Sequence, residues 1–343
     1  MHGVIAWARA ALLVILAPIG HATSPTGWQQ PPAAGFGPGA RVLLDAHNAY
    51  PERGQWADRI ERALATGTPL AIEQDLHWTK PTGSTTFASV VAHDDDALDG
   101  APTLKAYFFD RIHPIMEQAL NDNRRDTWPL IVLNLDFKDN APAHLDAVWT
   151  LLGEYESWLT TAQRSASPAQ AEPLTVGPLL VLAGADTAQR KRFHDDVPVG
   201  ARLRAFGSIP SAAVSGATKR QRQRRAIRMT AAQHIVARAD NYARWVNFPW
   251  SVVEEGGQQN AGRWTDTDST RLVSLVQHAH AHNLWIRFYT LDGFTNTQDR
   301  GFTASYNFGS VDVARVRWRA AMLAGVDFVA TDQYEAFSAA RRF

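Results

Sequence analysis

The sequence predicts a (β/α)8 TIM barrel, because eight strand-like runs alternate with helix-like stretches along most of its length. Several runs are almost continuously apolar, among them LIVLNLDF (130–137) and PLLVLA (178–183), which is typical of parallel strands buried on both faces. The competing architecture is an open, doubly wound sheet. No glycine-rich phosphate-binding loop follows the first predicted strand, and this favours the closed barrel.

The element boundaries follow from the same patterns. Strands are expected at 41–46, 69–76, 130–137, 178–183, 202–206, 243–248, 284–290 and 326–330. Helices are expected at 55–66, 103–122, 142–162, 186–195, 215–240, 266–283 and 311–324. In the last helix, a three- and four-residue spacing predicts one buried face, made of Val313, Val316, Arg317, Ala320 and Leu323.

The composition is that of a folded globular protein, with 45% apolar and 20% charged residues in 343. Thirty-four basic residues balance thirty-four acidic ones, so the net charge does not indicate a nucleic-acid partner, and we expect none. Cysteine is absent, which excludes disulfides, thiolate metal ligands and a cysteine nucleophile. We expect a monomer.

The N-terminus predicts the compartment. Residues 1–22 combine a basic start, a short apolar run and small residues before a cleavage point after Ala22, the pattern of a secretory signal peptide. A buried N-terminal helix is the alternative. The Pro- and Gly-rich residues 23–40 are expected to form an extended leader, and 41–343 a single barrel domain. The protein is therefore expected to be secreted or periplasmic.

Polar side chains are concentrated where predicted strands end, the face on which barrels carry their active sites. His47 and Asn48 follow strand 1, and His93 follows a later apolar run. Glu73 and Asp75 are two residues apart, so they face the same side of strand 2. The same spacing recurs on strand 3 with Asn134, Asp136 and Lys138.

Glu73, Asp75 and Asp136 predict a metal site. Carboxylates that point into a barrel interior are costly unless a cation or a proton compensates them. Their oxygen atoms suit one hard divalent cation, Mg²⁺ or Ca²⁺. An acidic alternation on an exposed edge strand is the alternative, but a closed barrel has no edge.

His47 and His93 predict acid and base catalysis beside that cation, one accepting a proton and the other donating one. A single histidine at a strand end is more often structural. Here both histidines follow apolar strands and lie close to acids, which favours the catalytic interpretation.

Five segments resemble the glycerophosphodiester phosphodiesterases and the wider phospholipase-C-like phosphodiesterase superfamily. They occur in the family's order between Arg41 and Asp332. They are AHNAYPE (46–52), AIEQDLHW (71–78), VVAHDD (90–95), LNLDFKD (133–139) and GVDFVATDQ (325–333). The resemblance implies a barrel of the phospholipase-C-like type and a phosphoric diester hydrolase. The implied substrate is a small phosphodiester or a phospholipid headgroup.

The resemblance also implies a role for each matched residue. His47 and His93 match the two catalytic histidines, and Glu73 and Asp75 match the E-x-D metal ligands. Asp136 falls at the third acidic ligand. Lys138 falls at a lysine that contacts the phosphate.

Asn48 is the main departure from the family pattern. Typical members carry an arginine here that helps to hold the phosphate, and Ala49-Tyr50 replaces the usual glycine. The His-Asn-x-Tyr form is closer to a divergent branch that includes fungal mitochondrial-inheritance proteins. Asp136 followed by Lys138 also resembles the venom-type sphingomyelinases D. We therefore assign Asn48 to substrate binding and leave the headgroup open.

Several functions stay open at this stage. The phosphodiesterase could form a monoester or a cyclic phosphate, or act as a sphingomyelinase or phospholipase D. A non-catalytic phospholipid-binding barrel is a second class, and a glycosidase that uses two of the three acids is a third.

Other polar and aromatic residues are less specific. The basic run Lys219 to Arg228 is expected to be a solvated helix face, with contact to an anionic membrane surface as the alternative. Asp292 and Asp332 are expected to orient hydroxyls or helix N-termini rather than to act in catalysis. Aromatic residues after strand 6 and on strand 7 are expected in the cleft wall or the core: Trp245, Phe248, Trp250, Phe288 and Tyr289.

Overall fold

The computed structural model describes residues 36–255, 258, 261–295 and 307–341. The predicted signal peptide, 1–22, and most of the predicted leader lie outside the described residues. The strands are β1 (Leu43–Ala46), β2 (Leu70–Thr79), β3 (Ala88–Val91), β4 (Ile131–Phe137), β5 (Thr161–Gln163), β6 (Leu174–Thr175), β7 (Leu179–Ala183), β8 (Arg202–Leu203), β9 (Phe206–Ser208), β10 (Ala243–Pro249), β11 (Trp285–Tyr289) and β12 (Phe328–Thr331).

Eight parallel strands of the described chain close into a ring in the order β1, β2, β4, β7, β9, β10, β11, β12. The ring closes because β1 pairs with both β2 and β12, with Asp45 opposite Ala71 on one side and Ala330 on the other. β3 pairs antiparallel with the end of β2 and lies outside the ring. The predicted (β/α)8 barrel is confirmed.

The helices are α1 (Arg59–Ala65), α2 (Asp110–Asp122), α3 (Pro142–Glu154), α4 (Thr187–Arg190), α5 (Lys219–Ala226), α6 (Ala231–His234), α7 (Asp266–Ala281), α8 (Val311–Ala324) and α9 (Tyr334–Ala340). Capping residues in the sequence determine where several of these helices begin or end. α7 starts at a capping box in which the Thr265 side chain accepts from the Asp268 N–H. α8 starts after Ser310 and ends at Gly325, whose φ of 78° suits glycine.

Strand alternation sorts the barrel interior into layers. The lower layer is apolar and consists of Leu43, Ala71, Val132, Leu180, Phe206, Trp245, Trp285 and Phe328. Two residues further along each strand stand Asp45, Glu73, Asn134, Leu182, Ser208, Asn247, Arg287 and Ala330. The upper half of the interior is therefore polar, while the residues between these positions pack against the helices.

The base of the barrel is covered by chain outside the ring. The Phe36 ring lies 4.8 Å from that of Trp285, and the Gly39 N–H donates to Asp327 at 2.7 Å. β5, β6 and β8 form a small antiparallel sheet that adds Ala162 and Leu203 to the same apolar cluster. Residues 36–40, the end of the predicted leader, thus pack against the barrel.

Two predicted elements were wrong around this small sheet. The predicted strand 202–206 is divided: Arg202–Leu203 pairs with β5, and only Phe206–Ser208 enters the barrel. The predicted helix 142–162 ends at Glu154, and Thr161–Gln163 forms strand β5. Both segments carry short apolar runs that suit either element, so pairing decides between them.

The predicted helix 215–240 was also wrong, since two short helices, α5 and α6, occupy it. The 311–324 helix was predicted correctly but with the wrong buried face. Ala314, Arg317, Trp318 and Ala321 are buried, whereas Leu323 is 70% exposed. In the described part of the chain, no helix has the length and apolarity that a bilayer crossing requires.

The contact between Phe36 and Trp285 at the barrel base predicts a contribution to the free energy of unfolding. Phe36→Ala removes the ring that covers Trp285, so we expect a loss of about 2 kcal/mol of unfolding free energy, less than the cost of truncating a fully buried aromatic residue. Urea denaturation measures it. Val199→Ala, at a side chain that is 61% exposed, is the control and should stay within about 0.5 kcal/mol. Equal effects of the two substitutions would contradict a stabilising contact between Phe36 and Trp285.

Candidate active site

A cleft of about 690 Å³ opens at the end of the barrel where the strands have their C-termini. All seven residues assigned to the site from the sequence line it: His47, Asn48, Glu73, Asp75, His93, Asp136 and Lys138. They come from β2 and β4 and from the turns that follow β1, β3 and β4. The structure therefore brings the whole predicted set together.

The three acids form one cluster. Asp75 stands directly opposite Asp136 in the β2–β4 register, and Glu73 is one layer below. One oxygen from each of Glu73, Asp75 and Asp136 lies within 4.8 Å of the other two. The Oδ1 atom of Asp75 is buried and has no hydrogen-bond partner. This donor set fits a hard divalent cation, which prefers several carboxylate oxygens.

A lysine joins this cluster. Lys138 Nζ lies 2.8 Å from an oxygen of Asp75 and 2.7 Å from an oxygen of Asp136. Its charge therefore offsets part of the charge of these two carboxylates.

The electrostatic balance differs between the acids. Burial raises the pKa of Asp75, and the nearby charges of Glu73 and Asp136 bring it to about 7. Burial also acts against ionised Glu73, but the charges of Arg287, His47 and Lys138 outweigh it and lower its pKa to about 2. Arg287 and His47 also pair with Asp45 and Asp332, so five carboxylates share three cations in this part of the barrel. A bound divalent cation would supply the difference.

His47 forms a buried dyad with Asp332. Its Nδ1 lies 2.6 Å from Asp332 Oδ1, and its Nε2 lies 3.5 Å from Glu73 Oε2. The Tyr334 hydroxyl donates to the His47 carbonyl at 2.7 Å and fixes the backbone. Burial works against the charged imidazole, but Glu73 and Asp332 raise its pKa to about 10. His47 is therefore protonated at neutral pH.

Asp332 is held in turn by Asp292. The Asp292 Oδ1 atom accepts from the Asp332 N–H at 2.7 Å and from the Thr331 hydroxyl at 2.6 Å. His47, Asp292 and Asp332 also lie close enough to hold a metal ion. The direct 2.6 Å contact between His47 and Asp332 fits a shared proton instead, so we assign these residues to hydrogen bonding.

Asn48 supports the dyad. Its φ is +52°, in the left-handed region that asparagine tolerates. The amide donates to Asp332 Oδ2 at 3.0 Å, and its oxygen accepts from the Tyr50 hydroxyl, which also lies 2.9 Å from Asp75 Oδ2. Tyr50 thus connects the dyad to the acid cluster.

His93 lies on the rim of the cleft, and its side chain is 46% exposed. Its Nδ1 is 2.6 Å from Asp94 Oδ1, which leaves Nε2 directed to the acid cluster, 4.0 Å from Asp75 Oδ2. The two histidines therefore differ in setting, because His47 is enclosed and His93 is open to a substrate.

Sequence reasoning missed the ionic centre of the barrel. Arg287 is fully buried and donates from Nε to Asp45, while its Nη2 lies 3.1 Å from Glu73 Oε1. Asp332 was noted but not given to catalysis, and Tyr50 was not assigned. The two-residue alternation of side chains along a strand could have identified Asp45, because it precedes His47 by two residues and so shares its face.

The aromatic residues divide between cleft and core. Trp245 and Tyr289 line the cleft, and the Trp245 indole donates to the Ala183 carbonyl at 2.9 Å. Phe248, Trp250 and Phe288 belong to the core between barrel and helices.

Comparisons with known proteins give similar solved structures. A glycerophosphoryl diester phosphodiesterase from Parabacteroides distasonis is 11% identical, with 92% of this chain and 89% of that chain covered and a TM-score of 0.42. A calcium-dependent phosphoinositol-specific phospholipase C from a Pseudomonas species is 12% identical, with 88% and 92% covered and a TM-score of 0.47. An HPPK-DHPS structure is 8% identical, with 89% and 49% covered and a TM-score of 0.39.

Two of these structures carry names from the superfamily that the motifs resemble. No protein-family model matches the sequence, and no curated protein is significantly similar to it. All three structural likenesses are distant, so the fold rests on the barrel's own strand pairing and the site on its own geometry.

The buried arginine predicts a large loss of stability. Arg287→Met leaves Asp45 and Glu73 without their cation in a low-dielectric interior, so we expect a cost of about 3–5 kcal/mol. In urea denaturation, the double variant Arg287→Met/Asp45→Leu should lose less than the sum of the two single changes. The control is Arg319→Met at an exposed position. A loss below about 1 kcal/mol for Arg287→Met would contradict the ionic centre.

Asp292 predicts a pH dependence of stability. Burial and the charge of Asp332 raise its pKa to about 7, from 3.8 in the unfolded chain. Between these values the folded state keeps a proton that the unfolded chain has lost, so this group makes stability fall as pH rises from about 4 to 7. Asp292→Asn does not titrate and keeps an oxygen acceptor.

The stability of Asp292→Asn relative to the parent protein should therefore increase across that window by about 1 kcal/mol or more. Urea denaturation at several pH values measures the difference, with Asp110→Asn at an exposed position as the control. A difference that stays constant or falls with pH would refute the assignment.

Proposed function

We propose that the protein is a secreted, divalent-cation-dependent phosphodiesterase that cleaves glycerophosphodiesters or phospholipid headgroups. One observation carries the proposal: two histidines, three carboxylates and a lysine converge in one cleft, each at a position that matches the superfamily's motifs. The convergence supports acid and base chemistry beside a cation. The motif resemblance supplies the phosphodiester as the bond that is broken.

The cation would be held by Glu73, Asp75 and Asp136. The unpartnered Asp75 oxygen and the surplus of carboxylate charge support this assignment. When bound, a divalent cation supplies positive charge that offsets the phosphoryl oxygens and the charge developing on them. Lys138 adds a point charge on the same side of the cleft, where it can contact a phosphate oxygen.

His47 carries a proton before the reaction begins and acts as the proton donor. Asp332 is not among the proposed cation ligands, so its 2.6 Å contact with His47 Nδ1 remains available to a charged imidazole when the cation is bound. Protonation of the leaving alkoxide by His47 Nε2 avoids release of a strong base. Asp332 and Asn48 orient the ring for this transfer, which makes Asn48 a positioning residue.

His93 acts as the proton acceptor. Asp94 holds its Nδ1, so Nε2 faces the cleft from the exposed rim and can accept the proton of the attacking oxygen. If that oxygen belongs to water, the product is a monoester. If it belongs to a hydroxyl of the substrate, the product is a cyclic phosphate. A phosphorus NMR time course separates the two products.

The substrate class follows from the cleft. About 690 Å³ accommodates a headgroup with its phosphate, and Tyr289 offers ring surface for the organic part. Asn48 stands where the family has a phosphate-binding arginine. We therefore expect Lys138 to make the larger contribution to phosphate binding here.

The histidines provide the direct test. His47→Ala and His93→Ala should each lower turnover of a phosphodiester by at least about 10²-fold, the usual contribution of a positioned acid or base. The control is His113→Ala on α2, outside the cleft. Circular dichroism verifies folding of each variant. Turnover that persists in both cleft variants would remove the proposed mechanism.

Cation binding is tested separately. Calorimetry with Mg²⁺ and with Ca²⁺ should detect one site, and Asp75→Asn or Asp136→Asn should weaken it. Chelation should abolish turnover, and either cation should restore it. Absence of turnover on a broad phosphodiester panel with both cations would leave the non-catalytic lipid-binding barrel as the better explanation.

A further inference from the structure

The long connection after β9 has an unusual charge. Residues 209–242 contain seven lysines and arginines and a single acid, Asp240, although the whole chain is balanced. Five of the seven lie on α5: Lys219, Arg220, Arg222, Arg224 and Arg225. An eight-residue helix with five cations repels itself unless anions lie nearby.

The α5 cations have no carboxylate partner in the described chain. All five are exposed, and none takes part in an ion pair there. Arg222 and Arg225 donate to the carbonyls of Gly216 and Ser215, which orders the preceding loop but does not neutralise charge. The α5 cations are exposed, as expected of a solvated helix face, but no carboxylate of the described residues neutralises them locally.

The helix borders the catalytic cleft. It belongs to the connection after β9, whose last residue, Ser208, lines that cleft. Lys219 and Arg222 line a second pocket of about 350 Å³, and Tyr289 lines both this pocket and the cleft. The uncompensated charge therefore lies beside the cleft mouth.

A second feature stands on the same end of the barrel. β2 continues past Asp75 to Thr79 and forms a hairpin with β3. Near its tip the rings of Trp78 and Phe87 stack at 5.6 Å, and Phe87 is 52% exposed. The Lys80 ammonium lies 5.2 Å from the Phe87 ring centre. Exposed aromatic rings next to lysine suit the interface between lipid headgroups and acyl chains.

We propose that α5 and the hairpin tip dock the protein on an anionic phospholipid bilayer, with the cleft mouth facing the lipid. The catalytic part of this idea rests on the proposed function, but docking does not require turnover. The α5 side supplies the electrostatic attraction. Asp94 to Asp96 lie on the rim beside His93, so the hairpin side contributes through apolar burial rather than charge.

A bilayer fits these features better than a nucleic acid. The cations sit on a short exposed helix rather than along a groove that could follow a phosphate backbone. The aromatic pair is on a different element, where it can insert into a headgroup layer. A flat anionic surface can contact both elements at once, with the cleft between them.

Vesicle sedimentation tests the docking. The full protein should bind vesicles of phosphatidylcholine with 30% phosphatidylglycerol, and binding should fall to background on pure phosphatidylcholine or in high salt. Arg220→Gln/Arg224→Gln should weaken the partition coefficient roughly 25-fold, about fivefold for each cation near the surface. Phe87→Ala should weaken it roughly fivefold through lost apolar burial.

Matched controls remove the same groups elsewhere. Arg124→Gln/Arg319→Gln changes two exposed arginines away from the cleft mouth, and Leu323→Ala removes an exposed apolar side chain of α8. Each should change partition less than twofold. Cleavage of a soluble phosphodiester should be unchanged in Arg220→Gln/Arg224→Gln, which separates docking from catalysis.

Three results would overturn docking. The first is equal binding to neutral and anionic vesicles. The second is equal loss in the α5 variant and its control. The third is stronger binding to single-stranded DNA than to anionic vesicles at the same salt concentration. Vesicle binding without turnover of any phosphodiester would support docking and count against the proposed function.

Discussion

The contact between Arg287 and the carboxylates of Asp45 and Glu73, inside the barrel, is the constraint on which the site depends. Burying one charge alone in this interior would cost several kcal/mol, so each of the three groups requires the others. Arg287 keeps Glu73 ionised, and an ionised Glu73 keeps His47 charged. The guanidinium on β11 thus sets the charge state of groups on β1 and β2.

The rest of the cleft follows from alternation along the strands. His47 stands two residues after Asp45, Asp75 two after Glu73, and Tyr289 two after Arg287, so one inward-facing layer supports the next. The apolar lower layer, with Trp245 and Trp285, excludes water from beneath the ionic layer. Reactive groups then occupy the top, where the interior meets solvent. From the base to the top, the barrel interior therefore changes from an apolar layer to a layer of ionic contacts, and then to the layer that carries His47, Asp75 and Tyr289.

Sequence could predict whatever depends on local periodicity. Most barrel strands and five cleft residues (His47, Glu73, Asp75, His93 and Asp136) follow from apolar runs and from the two-residue alternation of strands. Lys138 and Asn48 were assigned through the family resemblance. The His47–Asp332 and Asp45–Arg287 contacts join residues 285 and 242 positions apart, and no local pattern connects them. The predictions of a single strand at 202–206 and of a helix that continues through Thr161–Gln163 were wrong for the same reason. Short apolar runs take their conformation from partners that only the folded chain supplies.

The two sides of the cleft mouth differ in a way that bears on catalysis. On one side, α5 presents five cations without carboxylate partners in the described chain; on the other, Asp94 fixes His93 at an acidic rim. Under the proposed function, the α5 cations would attract an anionic phosphodiester towards the cleft, whereas the acidic rim would repel it. The exposed His93 and the enclosed His47 would then contact that substrate from two different environments.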